Sequence, residues 1–447
     1  MRTKTAFPNL VFGLLCALAL PAGAEDLMQV YRDAQKYDAV FSAARNSLEA
    51  GREKLPQGRA LLLPTINLTA NFTHQRIDSE SKDPANPALT FMRDPYSRGY
   101  TLTFTQPILR LQNWAQYDQA EFQVKQAEAV FGQASQDLIV RVAQAYFDVL
   151  AAQDSLALVR AQKSAISEQL AQAKRNFEVG TATITDTHEA QARFDLSAAQ
   201  EIAAQNDLES KRRAMQLLTG KEYAQFKPVR TDVKLSQPNP NDMQSWVDIA
   251  EKQSYSVQIQ EAAKSIAALD VKRNFAAHLP TLDFVASSQR LNQTGTVSSP
   301  SGNDLTINSV GFQLAVPLFQ GGALFSRDRE SAALASKARD DLDNARRSAA
   351  LATRQSYLSV INGVAQVGAL EQAKVSSQSA LDSNKLGYEV GVRINIDVLN
   401  SQQQLFSTER DLSVARYNTI TNHLRLKAAA GSLIEQDLEE VNRAILP

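Results

Sequence analysis

The chain has one cysteine in 447 residues, Cys16, and it lies inside an N-terminal apolar run. Arg2 and Lys4 precede that run, Leu10 to Leu20 form it, and Ala22-Gly23-Ala24 closes it with small residues. A positive start, a short apolar core and a small-residue cleavage site make an export signal, so Glu25 is expected to begin the mature chain. Lipid-attachment sites carry a small residue before their cysteine. Leu15 stands there instead, which argues against lipidation. The mature chain then lacks thiols, which excludes both disulfide stapling and thiolate chemistry. Long apolar runs are also missing: no stretch after residue 24 reaches eighteen apolar residues, so no transmembrane helix is expected. Nor is there an excess of one charge. Without Arg2 and Lys4, the 47 basic residues fall to 45 against 48 acidic ones, a net charge of −3. That excludes a broad nucleic-acid footprint. The four histidines, His74, His188, His278 and His423, show no metal-ligand spacing. No nucleophile–base constellation or phosphate loop is present, so neither catalysis nor a cofactor is expected.

What the chain has is long helical sequence, and it has it twice. Phe177-Glu178-Val179-Gly180 followed by Asp186 recurs 211 residues later as Tyr388-Glu389-Val390-Gly391 followed by Asp397. Tyr146-Phe147-Asp148-Val149-Leu150 returns at the same offset as Tyr357-Leu358-Ser359-Val360-Ile361, and Leu63-Pro64-Thr65-Ile66 matches Leu279-Pro280-Thr281-Leu282. The period is far too long for a solenoid repeat and reads as one duplicated unit. The chain divides into a signal peptide (1–24), a first repeat (25–220), a proline-rich linker (221–242), a second repeat (243–431) and a short polar tail (432–447).

Each repeat has the same expected plan. In the first, a helix over 27–62, interrupted around Leu55-Pro56, ends before Pro64. Ile66, Leu68, Ala70 and Phe72 then alternate with Asn67, Thr69, Asn71 and Thr73 in a strand. After a polar loop over about 77–97, Tyr100, Leu102 and Phe104 alternate with threonines in a second strand, which Pro107 closes. Residues 111–176 hold no proline and one glycine, Gly132. Val142, Val149, Leu156 and Leu170 share one seven-residue register, and Ala145, Ala152, Val159, Ile166 and Ala173 share another, the seam of a coiled coil. A shorter helix over about 187–219 follows. The second repeat predicts helices over 243–278, 323–387 and 397–430. Its strands lie around Leu282-Phe284-Ala286 and Val310-Phe312-Leu314, with a loop over about 291–307 between them.

Strands apolar on one face and polar on the other suit a membrane barrel, wetted by lipid outside and water inside. Four strands cannot close a barrel, and an open edge cannot stand in lipid, so copies of the chain must pool their strands. The competing reading is a structural coiled-coil scaffold spanning the periplasm, with a soluble sheet that would extract without detergent.

Several motifs resemble the TolC family of outer-membrane channel-tunnels, the outer membrane efflux proteins. They are Asp26-Leu27-Met28-Gln29-Val30-Tyr31, Ala145 to Leu150, Phe177-x-Val179-Gly180 with Thr185-Asp186, Pro317-Leu318-Phe319-Gln320-Gly321-Gly322, and Gly387-Tyr388-x-Val390-Gly391-x-Arg393 with Asp397-Val398-Leu399. The resemblance implies a mainly α chain with a membrane β-barrel part. Three copies would form a homotrimer with a twelve-stranded barrel in outer-membrane lipid above a long periplasmic helical tunnel. It implies a passive exit duct working with a periplasmic adaptor (a membrane fusion protein) and an inner-membrane transporter of the RND, ABC or MFS type. The outer-membrane arm of a type I protein-secretion system is the alternative. It also implies that Asp397 forms an entrance constriction. The position of a second ring aspartate is taken by Asn400, from which weaker divalent-cation block is expected. Tyr388, Arg393 and Asp186 match an entrance-closing network in which Arg175 replaces a glutamine. Val179-Gly180-Thr181 and Val390-Gly391-Val392 would be adaptor-docking tips. The plainer readings remain open here: Asp397 as a helix cap, the tip charges as solvated, the glycines as turn geometry, and Trp114 and Trp246 as interface anchors or packing.

Overall fold

In the computed structural model, the residues described are 25–85, 91–230, 236–294, 301–443 and 445. The expected signal peptide and linker residues 231–235 lie outside them, as does most of the loop between the second pair of strands.

The first expected helix is three: α1 (Leu27–Tyr37), α2 (Ala39–Arg52) and α3 (Lys54–Ala60). Asp38 makes the first break. Its carboxylate accepts the Phe41 N–H at 3.0 Å and caps α2, an extended conformation that no helix interior permits. The second break falls at Glu53, because Pro56 sits in the first turn of α3, where its missing N–H has no partner to lose. Strand β1 (Thr65–His74) follows as expected. The expected polar loop contains a small hairpin, β2 (Ile77–Ser79) and β3 (Phe91–Arg93). Strand β4 (Tyr96–Leu109) runs through Pro107 and shifts register there instead of ending. The long helix α4 (Leu111–Glu178) has 68 residues, which at about 1.5 Å each is roughly 100 Å of rod. It is followed by α5 (Ile184–Thr219).

The second repeat gives α6 (Met243–Gln253) and α7 (Tyr255–Ala276), broken at Ser254 rather than continuous. Then come β5 (Thr281–Thr294), β6 (Asn303–Ala315), α8 (Ala323–Glu389) and α9 (Asn395–Ala429). Both strands are longer than expected and leave a shorter loop. The tail, expected to be merely polar, carries α10 (Glu435–Arg443), whose Leu438 is fully buried.

The helices pack in two matching sets. α4 is flanked by α2 and α3 at its strand end and by α5 beyond; α8 is flanked likewise by α7 and α9. Close approach depends on small residues: a Cβ on Gly58 would stand 2.8 Å from that of Ala120, and Gly51 meets Ala127 the same way. Both lower helices end on a left-handed glycine, Gly220 at φ +69° and Gly431 at φ +76°. Gly220 lies against Tyr37 at the α1–α2 junction, and Gly431 lies against Gln253 and Ser254 at the α6–α7 junction. The expected seam of α4 is inside. Val142, Val149, Leu156, Ile166, Leu170 and Ala173 are buried, while Ala145 and Val159 are half-buried.

Where the two sets meet the linker, the core is aromatic. Tyr146 packs edge-on against Phe147 and Phe226, Tyr417 stacks on Phe147, and Tyr223 meets Phe226. The Tyr146 hydroxyl lies 2.9 Å from the Lys227 carbonyl, so α4 holds the first linker segment directly. Trp246 packs rather than anchors: it is buried, and its Nε1 donates to the Pro240 carbonyl at 2.8 Å. Trp114 is exposed at the start of α4.

The main sheet is antiparallel in the order β1-β4-β5-β6, with β1 and β6 as open edges. The register puts Ile66 opposite Phe104, Phe104 opposite Ala286, and Ala286 opposite Val310, so one face collects the apolar residues of all four strands. No described residue covers that face: Ile66, Leu68, Phe72, Val310, Phe312 and Leu314 are 64–73% exposed. The apolar set does not follow the hydrogen-bonded rows. On β1 it is centred on Thr69, whose row runs through Thr101 and Gln289 to Ile307. On β6 it is centred on Phe312, nearer the helices. That slip, about 16 Å across three strand spacings of about 4.8 Å, levels the band only if the strands tilt by roughly 45°.

Two buried carboxylates should govern acid stability. Burial alone would raise Asp38, but the Arg141 guanidinium at 2.7 Å and the Phe41 N–H outweigh it and hold the group below the usual carboxylate range. Asp33 is treated the same way by burial, then by Lys221 and Tyr223. A depressed carboxyl contributes stability above its unfolded pKa of about 3.9 and loses it as pH falls through the folded value. Thermal unfolding should therefore be nearly flat between pH 7 and 5 and drop below about pH 4. Asp38→Ala should cost about 2 kcal/mol at pH 7 and flatten the acid limb. An unchanged acid limb would show that Asp38 is not its source.

Candidate functional site

Far from the strands, α4 turns into α5 and α8 into α9. The two turns are built alike. Gly180 (φ +77°) and Gly391 (φ +78°) occupy the left-handed position that side chains resist. In the first turn, the Gly180 N–H donates to Phe177 O at 3.0 Å and the Thr181 N–H to Asn176 O at 2.8 Å. In the second, Gly391 donates to Tyr388 O at 3.1 Å and Val392 to Gly387 O at 2.9 Å. Val179, Val390 and Val392 project outward as exposed apolar tips, and Thr181 is exposed beside them.

The turns diverge one step later. Thr183 caps α5 through a capping box in which its hydroxyl accepts the Asp186 N–H at 3.2 Å, while Asp186 Oδ2 accepts the Thr183 N–H at 3.0 Å. The Asp186 carboxylate, expected to reach across to the second tip, is engaged in its own turn. The residue equivalent to Thr183, 211 positions on, is Ile394, which caps α9 with no side-chain bond. Asp397 is therefore not the helix cap. It sits in the first turn with Arg393 at 3.7 Å as its ion-pair partner, and its carboxylate stays uncommitted to the turn. The Arg393 stem runs over Gly387, where a Cβ would meet its Cγ at 2.7 Å.

Contacts between the first and second sets run through residues the sequence reading missed. Arg175, expected in the network, has no side-chain partner among the described residues and offers only its carbonyl to the Val179 N–H. Its neighbour Asn176 donates from Nδ2 to the Tyr388 hydroxyl at 3.2 Å. Arg193 of α5 reaches α9, donating from Nη2 to Asn400 Oδ1 at 2.9 Å and from Nη1 to Gln403 Oε1 at 2.6 Å. Arg193 follows Asp186 by seven residues, two helical turns on the same face, which is the signal that could have found it.

Within each set the ties are ionic. Arg160 and Lys163 of α4 pair with Glu201 of α5 at 3.0 and 2.9 Å. Lys374 pairs with Glu409, and Arg416 with Glu371, joining α8 to α9. Near the tips the two sets are joined by bonds whose acceptors are neutral. Higher up, the Tyr417 hydroxyl donates to Asp154 at 2.7 Å. Burial raises the Asp154 carboxyl, with the Tyr417 bond opposing it. Burial, reinforced by Asp154, pushes the Tyr417 phenol up in turn. Among the described residues no group of three His, Cys, Asp or Glu side chains is placed to hold a metal.

The geometry is thus a pair of paired rods with an apolar tip on each and one acidic position, Asp397, held only by Arg393 of its own turn. Comparison with known proteins agrees with it. The model of the outer membrane efflux protein family matches residues 30–221 and 246–432. The chain is similar to the outer membrane protein TolC of Vibrio cholerae, with 33% identity over 446 residues covering 99% of both chains. It is also similar to the alkaline protease secretion protein AprF of Pseudomonas aeruginosa, with 33% identity over 440 residues covering 96% of this chain and 90% of that one. Among solved structures, CusC superposes with a TM-score of 0.76 at 16% identity over 91% of this chain and 92% of its own.

The unequal caps make a direct prediction. Thr183→Ala should destabilise the start of α5 by about 1 kcal/mol, and Ile394→Thr, by completing a capping box with Asp397, should stabilise the start of α9 by a similar amount. Amide hydrogen exchange at the two helix starts reads both, and no change in α9 protection would refute the vacant-cap reading.

Proposed function

The chain belongs to the outer membrane efflux protein family and is an efflux channel of the outer membrane, and from that premise we propose that three copies close one twelve-stranded barrel over a shared helical tunnel. The observation that carries this reading is the tilted, uncovered apolar band with its two unpaired strand edges. Hydrocarbon tolerates no open edge, so β1 of one copy must meet β6 of the next. A periplasmic scaffold with a soluble sheet has no use for a band levelled by barrel tilt, and that reading is set aside.

The duct conducts passively; directionality comes from partners. The tips at Val179-Gly180-Thr181 and Val390-Gly391-Val392 suit docking by a periplasmic adaptor, since they present exposed apolar side chains on rigid turns. The adaptor would join the duct to an inner-membrane transporter of the RND, ABC or MFS type. Threefold symmetry gathers three Asp397 carboxylates at the entrance, a cation-attracting ring. Opening moves the α8–α9 pair against the α4–α5 pair. Ion pairs hold each pair together. Near the tips the bonds between them are Asn176–Tyr388, worth about 0.5–1.5 kcal/mol, and Arg193–Asn400–Gln403, worth about 1.5–3 kcal/mol, while Tyr417–Asp154 lies higher up. These are small enough for an adaptor to break. The similarity to a protease secretion protein at the same identity as to a TolC keeps protein export as a second cargo for the same duct.

Single-channel conductance in a planar bilayer tests this. A small, stable, cation-selective conductance reduced by divalent ions is expected, and Asp397→Asn should abolish the divalent effect. Ile394→Thr should weaken it by drawing the carboxylate into the turn. Asn400→Asp should strengthen it, partly while Arg193 pairs with the new charge and more fully once Arg193→Gln is added, and an unchanged block in the double variant would remove Asn400 from the constriction. A protein that extracts without detergent would end the barrel reading. Separately, Thr181 and Val392 substitutions should lower efflux while leaving the trimer intact; lost trimer stability would make them structural.

A further inference from the structure

The uncovered face of the sheet is not apolar along its whole length. At the helix end of the band no charged strand side chain among the described residues faces outward; Leu282, Leu314, Gln106 and the touching rings of Phe104, Phe284 and Phe312 stand there. At the far end two arginines share the face, Arg98 on β4 and Arg290 on β5. Arg98 pairs with Asn292 and Arg290 with Tyr100, which makes the arginines diagonal neighbours, with Cβ atoms roughly 7 Å apart. Both are exposed, and neither makes an ion pair, hydrogen bond or ring contact among the described residues.

Their height follows from the tilt. Arg98 is four residues beyond Leu102, the middle of the band on β4, and Arg290 is six beyond Phe284 on β5. At about 3.3 Å per residue and a tilt of roughly 45°, they stand roughly 9 and 14 Å from the midplane, at the edge of a band about 25 Å tall. Tyr96 and His74 share the face at similar heights. The acidic residue on this face, Asp304, lies eight residues beyond Phe312, roughly 19 Å out, and accepts from Asn292 Nδ2 at 2.6 Å. Asp78 is beyond the strand ends and pairs with Arg76. The headgroup level at the distal end is therefore cationic, and the opposite level is uncharged.

We propose that Arg98 and Arg290 form a binding site on the outer wall for the phosphates of the bis-phosphorylated glycolipid (lipid A) of the outer leaflet. The proposal rests on the barrel reading above, which puts this face in lipid. The helices extend into the periplasm, so the arginine end lies in the outer leaflet. Each guanidinium offers a planar fork that matches a phosphate, and flexible stems let it lie along the band while its head reaches the interface. Two forks on adjacent strands can engage both phosphates of one lipid, with Tyr96 as the aromatic neighbour expected at that depth. Three such pairs ring the trimer.

The test is retention of bis-phosphorylated lipid A by the purified full-length protein in neutral detergent, read by native mass spectrometry. The comparisons are the same lipid A after dephosphorylation, and phosphatidylglycerol. Wild type should favour the phosphorylated form at least tenfold. Arg98→Gln with Arg290→Gln should remove most of that preference, about fivefold per arginine, with trimer and conductance unchanged. Arg98→Lys with Arg290→Lys should keep part of it. Equal retention of phosphorylated and dephosphorylated lipid A by a conducting trimer would overturn the site alone. Equal competition by phosphatidylglycerol would reduce it to a generic anionic contact and overturn the assignment to lipid A. A protein that forms no trimer and conducts nothing would instead remove the barrel reading on which the site depends.

Discussion

A strand edge carries a row of unpaired N–H and C=O groups, and hydrocarbon has nothing to offer them. The rest of the architecture answers to that constraint. The sheet has four strands and therefore two edges, so the lipid-facing part of the chain is incomplete alone. The same incompleteness extends down the helices, where small residues on α4 and α8 leave room for close neighbours. In the proposed trimer a neighbour at the barrel would align the rods beneath it; within the chain the aromatic knot around Tyr146, Phe147 and Tyr417 joins the two sets. Below the knot each set is tied within itself by ion pairs, while near the tips the two sets meet through bonds with neutral acceptors.

Much of this could be read from residue order. Alternation located β1 and the cores of the other three long strands, because a side-chain period of two belongs to a pleated strand and to no helix. Most positions of the heptad registers of α4 are buried, but the registers missed Leu138, Ile139, Tyr146, Phe147 and Leu150, which are buried as well. Short-range capping was less visible. Asp38 and Ser254 interrupt helices that hydropathy alone would continue, and each break needs the local geometry of an acceptor or a neighbouring glycine. The tail was misread because Leu438 and Ile445 are few among charged residues, yet both are buried. Pro107 misled in the opposite sense, since a bulge lets a strand pass through it.

At the tips, residue matching located the turns, both glycines and Asp397 in the first turn of α9. It did not find Asn176 or Arg193, whose partners lie more than 200 residues away in sequence. It also credited Asp186 with a cross-link and put Arg175 in the network as a departure that would alter or lose its link. Asp186 spends its carboxylate on Thr183, and Arg175 contributes only backbone. Side-chain partnership across two helices depends on rotation about each axis, which a motif does not encode.

The two open strand edges also bear on inheritance. In the proposed threefold barrel each protomer lends one edge to each neighbour, so a subunit with one defective edge breaks one of three seams, and one broken seam is enough to open the ring. Where normal and altered copies mix at random in equal numbers, roughly one assembly in eight is free of the altered chain. An edge-strand allele would thus behave as dominant, whereas an allele affecting a single docking tip would be diluted by its sound neighbours.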